Sequence, residues 1–322
     1  MLARVLAAMF AIEAAPYTAF VWWRLSRGTS LWVSLLLVLL SLLLVRAAVV
    51  AMMFACAWRW RMDRAPGQRL RIWAALRLVL AEYATLFACY CLLQPCEKWL
   101  MPREREGAVP LGRPVILVHG FFCNRGYWWQ LCHALQRAGL APVYTINLEP
   151  LLAGMKQYVC QLDDLVERIC VVSGATQVIL VAHSMGGLVA RAYARSNTGR
   201  ARVAAILTLG SPHHGTQLAR LLPGHNLTQM LPGSAWLAAL EKKEMESPGA
   251  PIISLYSAHD NIVAPQDSAR LASAENICLP GIGHLELAFN PSVQRLLIDR
   301  LRTWQRAMDI SQTTPPAAKM PP

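Results

Sequence analysis

Val178-Ile-Leu-Val-Ala-His-Ser-Met-Gly-Gly187 joins an apolar run of strand length to a turn at Ser184, and Leu188-Val-Ala-Arg-Ala-Tyr-Ala-Arg195 carries on at helical period. The order strand, small-x-Ser-x-Gly, helix is that of a nucleophile elbow. A hydroxyl held out on so sharp a turn needs small neighbours. Ala182 and Gly186 meet that need, although Ala182 is one methyl larger than the commoner glycine. The Met185 amide then opens a helix and points to where an acyl oxyanion would form. Alone, a serine after a buried strand is as readily a helix N-cap. The surrounding chain must discriminate.

Outward from the elbow, short apolar runs alternate with periodic segments of helix length. Strands are expected at 114–119, 141–146, 177–182, 202–209, 251–256 and 275–279, and helices at 127–138, 155–172 and 291–308. Continuous Val/Ile/Leu strands separated by helices imply a mostly parallel sheet with helices on both faces. The stretch from His214 to Pro248 breaks this alternation. It is rich in Leu, Met and Trp and punctuated by Pro223, Gly224, Pro232 and Gly233, which suggests a cap-like insert over a pocket, about 214–248.

A serine hydroxyl needs a histidine base, itself oriented by a carboxylate. In this strand order the acid should follow a later strand and the histidine the last one. Asp260 follows the 251–256 strand, with Asp267 as the second candidate, and His284 follows 275–279 in a glycine-rich loop. The second oxyanion donor should come from the loop after the first strand, where Gly120 lets Val118-His-Gly-Phe-Phe122 turn. The Phe121 N–H would then join that of Met185. Phe122 and His183 are candidates to line the substrate site, and His119 to brace the oxyanion loop. His259 shapes the site, whereas His213 and His214 look structural. Trp128 and Trp129 read as packing under the sheet.

The strings Val118-His-Gly-Phe, Ala182-His-Ser-Met-Gly-Gly187, Gly210-Ser-Pro-His-His-Gly-Thr216, His259-Asp-Asn-Ile-Val263 and Gly283-His284 together resemble the bacterial triacylglycerol lipase and esterase branch of the α/β-hydrolase superfamily. The resemblance covers about 113–306. It implies ester hydrolysis by Ser184, Asp260 and His284 through an acyl-enzyme, on lipid-like substrates. Several relatives hold a structural calcium near the catalytic histidine. Here Leu285-Glu-Leu-Ala-Phe289 follows it, so no metal and no cofactor is expected.

The first hundred residues are of another kind, and they carry much of the chain's 55% hydrophobic content. Leu31 to Trp58 is long enough to cross a bilayer, and Val5 to Trp23, interrupted by Glu13 and Pro16, is a second candidate. A third, Trp73 to Leu93, carries Arg77 and Glu82. It is expected to span, the alternative being a helix lying on the membrane or on the hydrolase. Arg46 is expected to snorkel or to sit near a helix end. The N-terminus makes a poor signal peptide, because Glu13 breaks its apolar core and further membrane-length segments follow.

The net charge is +12, with a cluster at Arg59, Arg61, Arg64, Arg69 and Arg71 beside the long apolar run. That is the positive-inside pattern, placing this loop in the cytoplasm. No basic run with interleaved aromatics follows, so no nucleic-acid partner is expected. The nine cysteines include no C-x-x-C pair after Cys96 and suggest neither a zinc site nor a redox motif.

The expected organisation is an all-α membrane region over 1–96 with two to three helices, a charged, proline-bounded linker at 97–112, an α/β-hydrolase domain at 113–308, and a disordered tail at 309–322. The expected location is a bacterial inner membrane, with the periplasmic face favoured for the catalytic domain if the third segment spans. The expected activity is that of a membrane-anchored serine ester hydrolase whose partners are a lipid or acyl-ester substrate and the membrane. An acyltransferase, phospholipase or thioesterase could use the same triad. A non-catalytic membrane scaffold of hydrolase fold is the alternative of another class.

Overall fold

In the computed structural model, which describes residues 1–101, 112–140, 142–246 and 249–313, a parallel sheet carries the C-terminal two thirds of the chain. Its strands are β1 (Val115–Val118), β2 (Val143–Thr145), β3 (Val178–His183), β4 (Val203–Leu209), β5 (Ile252–Tyr256) and β6 (Glu275–Cys278), in the order β2-β1-β3-β4-β5-β6. Every adjacent pair is parallel. β1, β3, β4 and β5 are buried at every position, as strands covered on both faces must be. All six fall where the hydrophobic runs place them, within two residues at each end, and β3 runs one residue further than expected, to His183.

The helices are α1 (Leu2–Ser26), α2 (Leu31–Arg59), α3 (Ile72–Phe87, continued by a π-turn at Ala88–Leu93), α4 (Glu97–Leu100), α5 (Trp129–Arg137), α6 (Met155–Ser173), α7 (Met185–Ala194), α8 (Gly199–Arg202), α9 (His225–Gln229), α10 (Ala235–Met245) and α11 (Pro291–Thr313). Helix α5 is preceded by a 3-10 turn over Arg125–Trp128, so the expected 127–138 helix is split in two. Two apolar clusters flank the sheet. One is formed with α6, α7 and Leu227, Met230 and Leu237 of the insert. The other gathers α5, α11 and the loop after His284, and it also takes in Val50 of α2 and Leu86 and Cys89 of the third apolar segment.

Three helices are long and apolar enough to cross a membrane: Leu2–Ser26, Leu31–Arg59 and Ile72–Leu93. They differ in what they touch. α1 and α2 pack on one another, and Arg46 makes a two-pronged ion pair with Glu13 across them. The two charges that interrupt the apolar pattern thus neutralise each other between the helices, where an unpaired one would be costly.

The third segment lies against the hydrolase domain. Before it, Arg64 Nε donates to the Ala258 carbonyl at 2.9 Å and the Met62 amide donates to Gln266 Oε1 at 3.0 Å. After it, the Tyr90 hydroxyl donates to the Phe122 carbonyl, and the Asn124 amide and Nδ2 donate to Gln94 Oε1 and the Gln94 carbonyl, both at 2.9 Å. The first residues expected to be linker are the helix α4, whose Glu97 carboxylate accepts from Asn147 Nδ2 and pairs with Arg125. The rest of that linker, 102–111, and the tail beyond Thr313 lie outside the described residues.

Candidate active site

Ser184 stands between β3 and α7 at φ 54°, ψ −127°, a backbone that L-residues rarely adopt. Strain at such a residue persists only where the surroundings over-determine it. Here they do: the Ser184 amide donates to the Leu209 carbonyl at 2.9 Å, and β3 and α7 are buried along nearly their whole length. A Cβ on Gly120 would approach Ser184 Cβ to 2.7 Å and its Oγ to 3.3 Å, so only glycine lets the loop after β1 pass so close. Phe121 follows in that loop. Neither its amide nor that of Met185 has a protein acceptor among the described residues.

His119 and His183 occupy the two strand ends beside the serine. The Leu148 amide donates to His119 Nε2 at 3.1 Å, which makes Nε2 an acceptor and Nδ1 the protonated nitrogen, donating to the Gly120 carbonyl at 2.9 Å. Burial pushes the His119 pKa down to about 4, so the ring stays neutral and holds the loop. His183 is 1% exposed. Its ring stacks on Tyr127 with centroids 4.5 Å apart, and Nε2 donates to the His284 carbonyl at 3.1 Å. It therefore supports the histidine loop from beneath. Phe122, also at positive φ (52°), stacks on Tyr90 of the third apolar segment. Trp128 is fully buried against Tyr127 and His183, in packing.

Asp260 and His284 meet as the strand order requires. His284 Nδ1 lies 2.7 Å from Asp260 Oδ2, and both side chains are 2% exposed. The other carboxylate oxygen accepts from the Ile262 and Val263 amides at 2.8 and 2.7 Å, so neither lone-pair set is left idle. A Cβ at Gly210, whose φ is +55°, would come within 3.1 Å of Asp260 Oδ2 and 3.3 Å of His284 Nδ1. Glycine after β4 thus leaves the pair its space. Burial pulls the His284 pKa down, but the Asp260 carboxylate and the more distant Glu82 outweigh it and hold the pKa above its ordinary value. No hydrogen bond joins Ser184 to His284 among the described residues, as is common before substrate binds. Asp267 lies in the 3-10 turn Gln266–Ala269, away from this pair.

Several residues around the site carry no short motif. Asn261 Oδ1 accepts from the His284 amide at 2.9 Å, and His259 Nδ1 accepts from the Gly281 amide at 3.1 Å. From α3, the fully buried Glu82 accepts from the Leu285 and Glu286 amides, both at 3.0 Å. Arg77 pairs with Glu286 at 3.2 Å and donates to the Gly281 carbonyl. The available signal was a charge in an otherwise apolar helix, which must find a partner if buried.

The insert covers the nucleophile helix. Asn226 Nδ2 donates to the Leu151 carbonyl at 2.9 Å, and it also contacts Tyr158 and Met185 Sδ. Arg191 of α7, 1% exposed, is held by both oxygens of Glu244 on α10 at 3.0 and 2.6 Å, and by the His213 carbonyl. His213 is boxed between Arg191 and Thr208, and so is structural.

A parallel sheet with a strained serine after β3, an acid after β5 and a histidine after β6 is the arrangement of the α/β-hydrolase fold. Residues 154–274 match the model of the PGAP1-like alpha/beta domain. Triacylglycerol lipases of Pseudarthrobacter phenanthrenivorans and Burkholderia plantarii are each 38% identical over 114 residues, 33% of this chain. The chain spans about a third of the length of these curated relatives, 35% and 31% respectively. The structure is similar to lipase BlEst2 of Bacillus licheniformis in its mature form (TM-score 0.53, 18% identity, 63% of this chain and 96% of that one). It is also similar to lipase B of Aspergillus fumigatus (TM-score 0.54, 23% identity, 59% of this chain and 52% of that one). Both likenesses are of fold.

Proposed function

We propose that the protein is a membrane-anchored serine hydrolase that cleaves carboxylic esters of lipid-like substrates through an acyl-enzyme. The observation that carries this reading is the buried His284–Asp260 pair placed beside a serine in a strained elbow. His284 Nε2 takes the proton of Ser184 Oγ as the oxygen attacks the ester carbonyl, and the Phe121 and Met185 amides receive the oxyanion. The carbonyl re-forms, the alcohol leaves with the proton from His284, and water then releases the acid by the same steps reversed. The lipase relatives support a lipid-like acyl group, and the apolar helices α1 and α2 support anchoring at the source of such substrates.

The same reading places the catalytic domain on the cytoplasmic face, in contrast to the periplasmic placement that a spanning third segment would give. Both ends of that segment bond to one domain, which can lie on only one side of a bilayer. It therefore leaves the domain on the side of the Arg59–Arg71 loop.

The test is hydrolysis of p-nitrophenyl esters of graded acyl length by the detergent-solubilised chain, with fluorophosphonate labelling and Ser184→Ala alongside. Turnover and labelling by the wild type, both lost in Ser184→Ala, are expected, and the length profile separates esterase from lipase. A wild type that neither labels nor hydrolyses sinks the proposal.

A further inference from the structure

The segment that follows His284 is held by an element outside the hydrolase sheet. Glu82 lies on α3, is 0% exposed, and spends its carboxylate on two consecutive amides, with Leu285 N–H on Oε1 and Glu286 N–H on Oε2, each at 3.0 Å. These are the first two amides after the histidine. On the other side of it, a Cβ at Gly283 would fall against the Glu82 carboxylate and within 2.9 Å of Glu82 Cβ. Arg77, about one turn earlier on α3, ties the Gly281 carbonyl and the Glu286 carboxylate. The loop 281–286 is thus gripped from α3 on both sides of His284. Its other ties come from within the domain: His259 to the Gly281 amide, Ser257 to the Ile282 carbonyl, Asn261 to the His284 amide, His183 to the His284 carbonyl and Tyr127 to the Leu285 carbonyl.

Burying a carboxylate is costly unless each oxygen is satisfied, and an apolar helix offers no reason to hold one. We propose that Glu82 is a positioning residue for His284: it fixes the backbone of the catalytic loop, so that the third apolar segment is a working part of the active site. The proposal rests on the reading of Ser184, His284 and Asp260 as the triad. Without the clamp the loop can relax at Leu285 and Glu286, and the imidazole loses its line to Ser184. A displacement of about 1 Å in such a group lowers turnover on the order of 100-fold while leaving substrate binding largely intact.

The experiment measures kcat and KM on a p-nitrophenyl ester for the full-length chain in detergent, per active site counted by exhaustive fluorophosphonate labelling, with thermal melting alongside. Glu82→Gln has the same shape but turns an NH2 toward one of the two amides. Its kcat is expected to fall on the order of 10- to 100-fold with KM nearly unchanged. Gly283→Ala tests the same contact from the loop side and serves alone if Glu82→Gln does not fold. Its kcat is also expected to fall, and its effect to shrink when combined with Glu82→Ala, because the clashing carboxylate is then gone.

Wild-type kcat in Glu82→Gln overturns the proposal, as do Gly283→Ala and Glu82→Ala effects that multiply independently. So does a loss that tracks melting temperature and labelled sites while kcat per site is retained, since that marks support of the fold alone. A wild type without turnover or labelling removes the triad reading itself, and so is distinguishable from these outcomes.

Discussion

At His284 two effects oppose one another: burial disfavours the imidazolium, while the Asp260 carboxylate at 2.7 Å favours it, and the carboxylate prevails. The other polar or charged groups facing the ring or its loop are Glu82 and Arg77 from α3, Tyr127 from the turn before α5, His183 from β3, Ser257, His259 and Asn261 from the loop after β5, and Glu286 from its own turn. A general base works only when neutral. Because the folded pKa is raised, kcat/KM should climb with pH through a midpoint above the ordinary histidine value of about 6.5 and level off beyond it. Asp260→Asn should lower kcat on the order of 10⁴-fold and move the residual acid limb to lower pH. A limb centred below the ordinary value in the wild type would show that Asp260 does not govern the base. The positions of Ser184, Asp260 and His284 were legible in the sequence because an elbow and two loop ends are local patterns in a fixed order. Glu82 was not: its partners lie more than 200 residues further along, and nothing short-range marks a carboxylate that pairs with backbone amides.

Helices α7 and α10 meet through a pair that the sequence did not suggest. Arg191 reads as one polar position on the nucleophile helix, and Glu244 as part of the charged run Glu241-Lys-Lys-Glu244. In the structure the guanidinium is 0% exposed and the carboxylate 9%, with two-pronged geometry. The insert after β4 was visible as an interruption of strand-helix alternation. Its attachment was not, because a long apolar loop does not declare which helix it will cover. A buried pair need not stabilise relative to apolar residues, but removing one partner strands the other charge. Glu244→Ala should therefore cost about 3 kcal/mol or more and lower the melting temperature, since Arg191 cannot reach water from α7. A double variant, Arg191→Met with Glu244→Leu, should recover much of that loss. If Glu244→Ala melts with the wild type, the pair contributes nothing to seating the insert on the nucleophile helix.

Over the whole molecule, the contacts between the apolar helices and the hydrolase domain support the proposed topology, which hydropathy counting leaves open. The third segment is long enough to cross, and composition alone favoured spanning over lying on the membrane or on the hydrolase. Both of its ends nevertheless return to one domain, and Ile72, Trp73, Leu76 and Leu80 face outward from it. The first residue of the chain meets the same domain, the Met1 ammonium pairing with Glu149. The end of α2 is likewise followed at once by the Met62 and Arg64 contacts. So α1 and α2 form a hairpin whose two open ends lie at the catalytic domain and whose turn, Arg27 to Ser30, points away. Under the proposed function, which puts the Arg59–Arg71 loop in the cytoplasm, only that turn would reach the far side. An impermeant maleimide applied to sealed spheroplasts of an expressing bacterium should then label Ser30→Cys. It should leave the native, exposed Cys160 of α6 untouched until the membrane is broken, with the modified positions located by mass spectrometry. Labelling of Cys160 in sealed spheroplasts would place the hydrolase domain outside, and the Arg59–Arg71 loop, bound to it through Met62 and Arg64, would lie outside with it. Such a result would overturn the cytoplasmic placement drawn from the positive-inside pattern while leaving the packing of α3 on the domain intact.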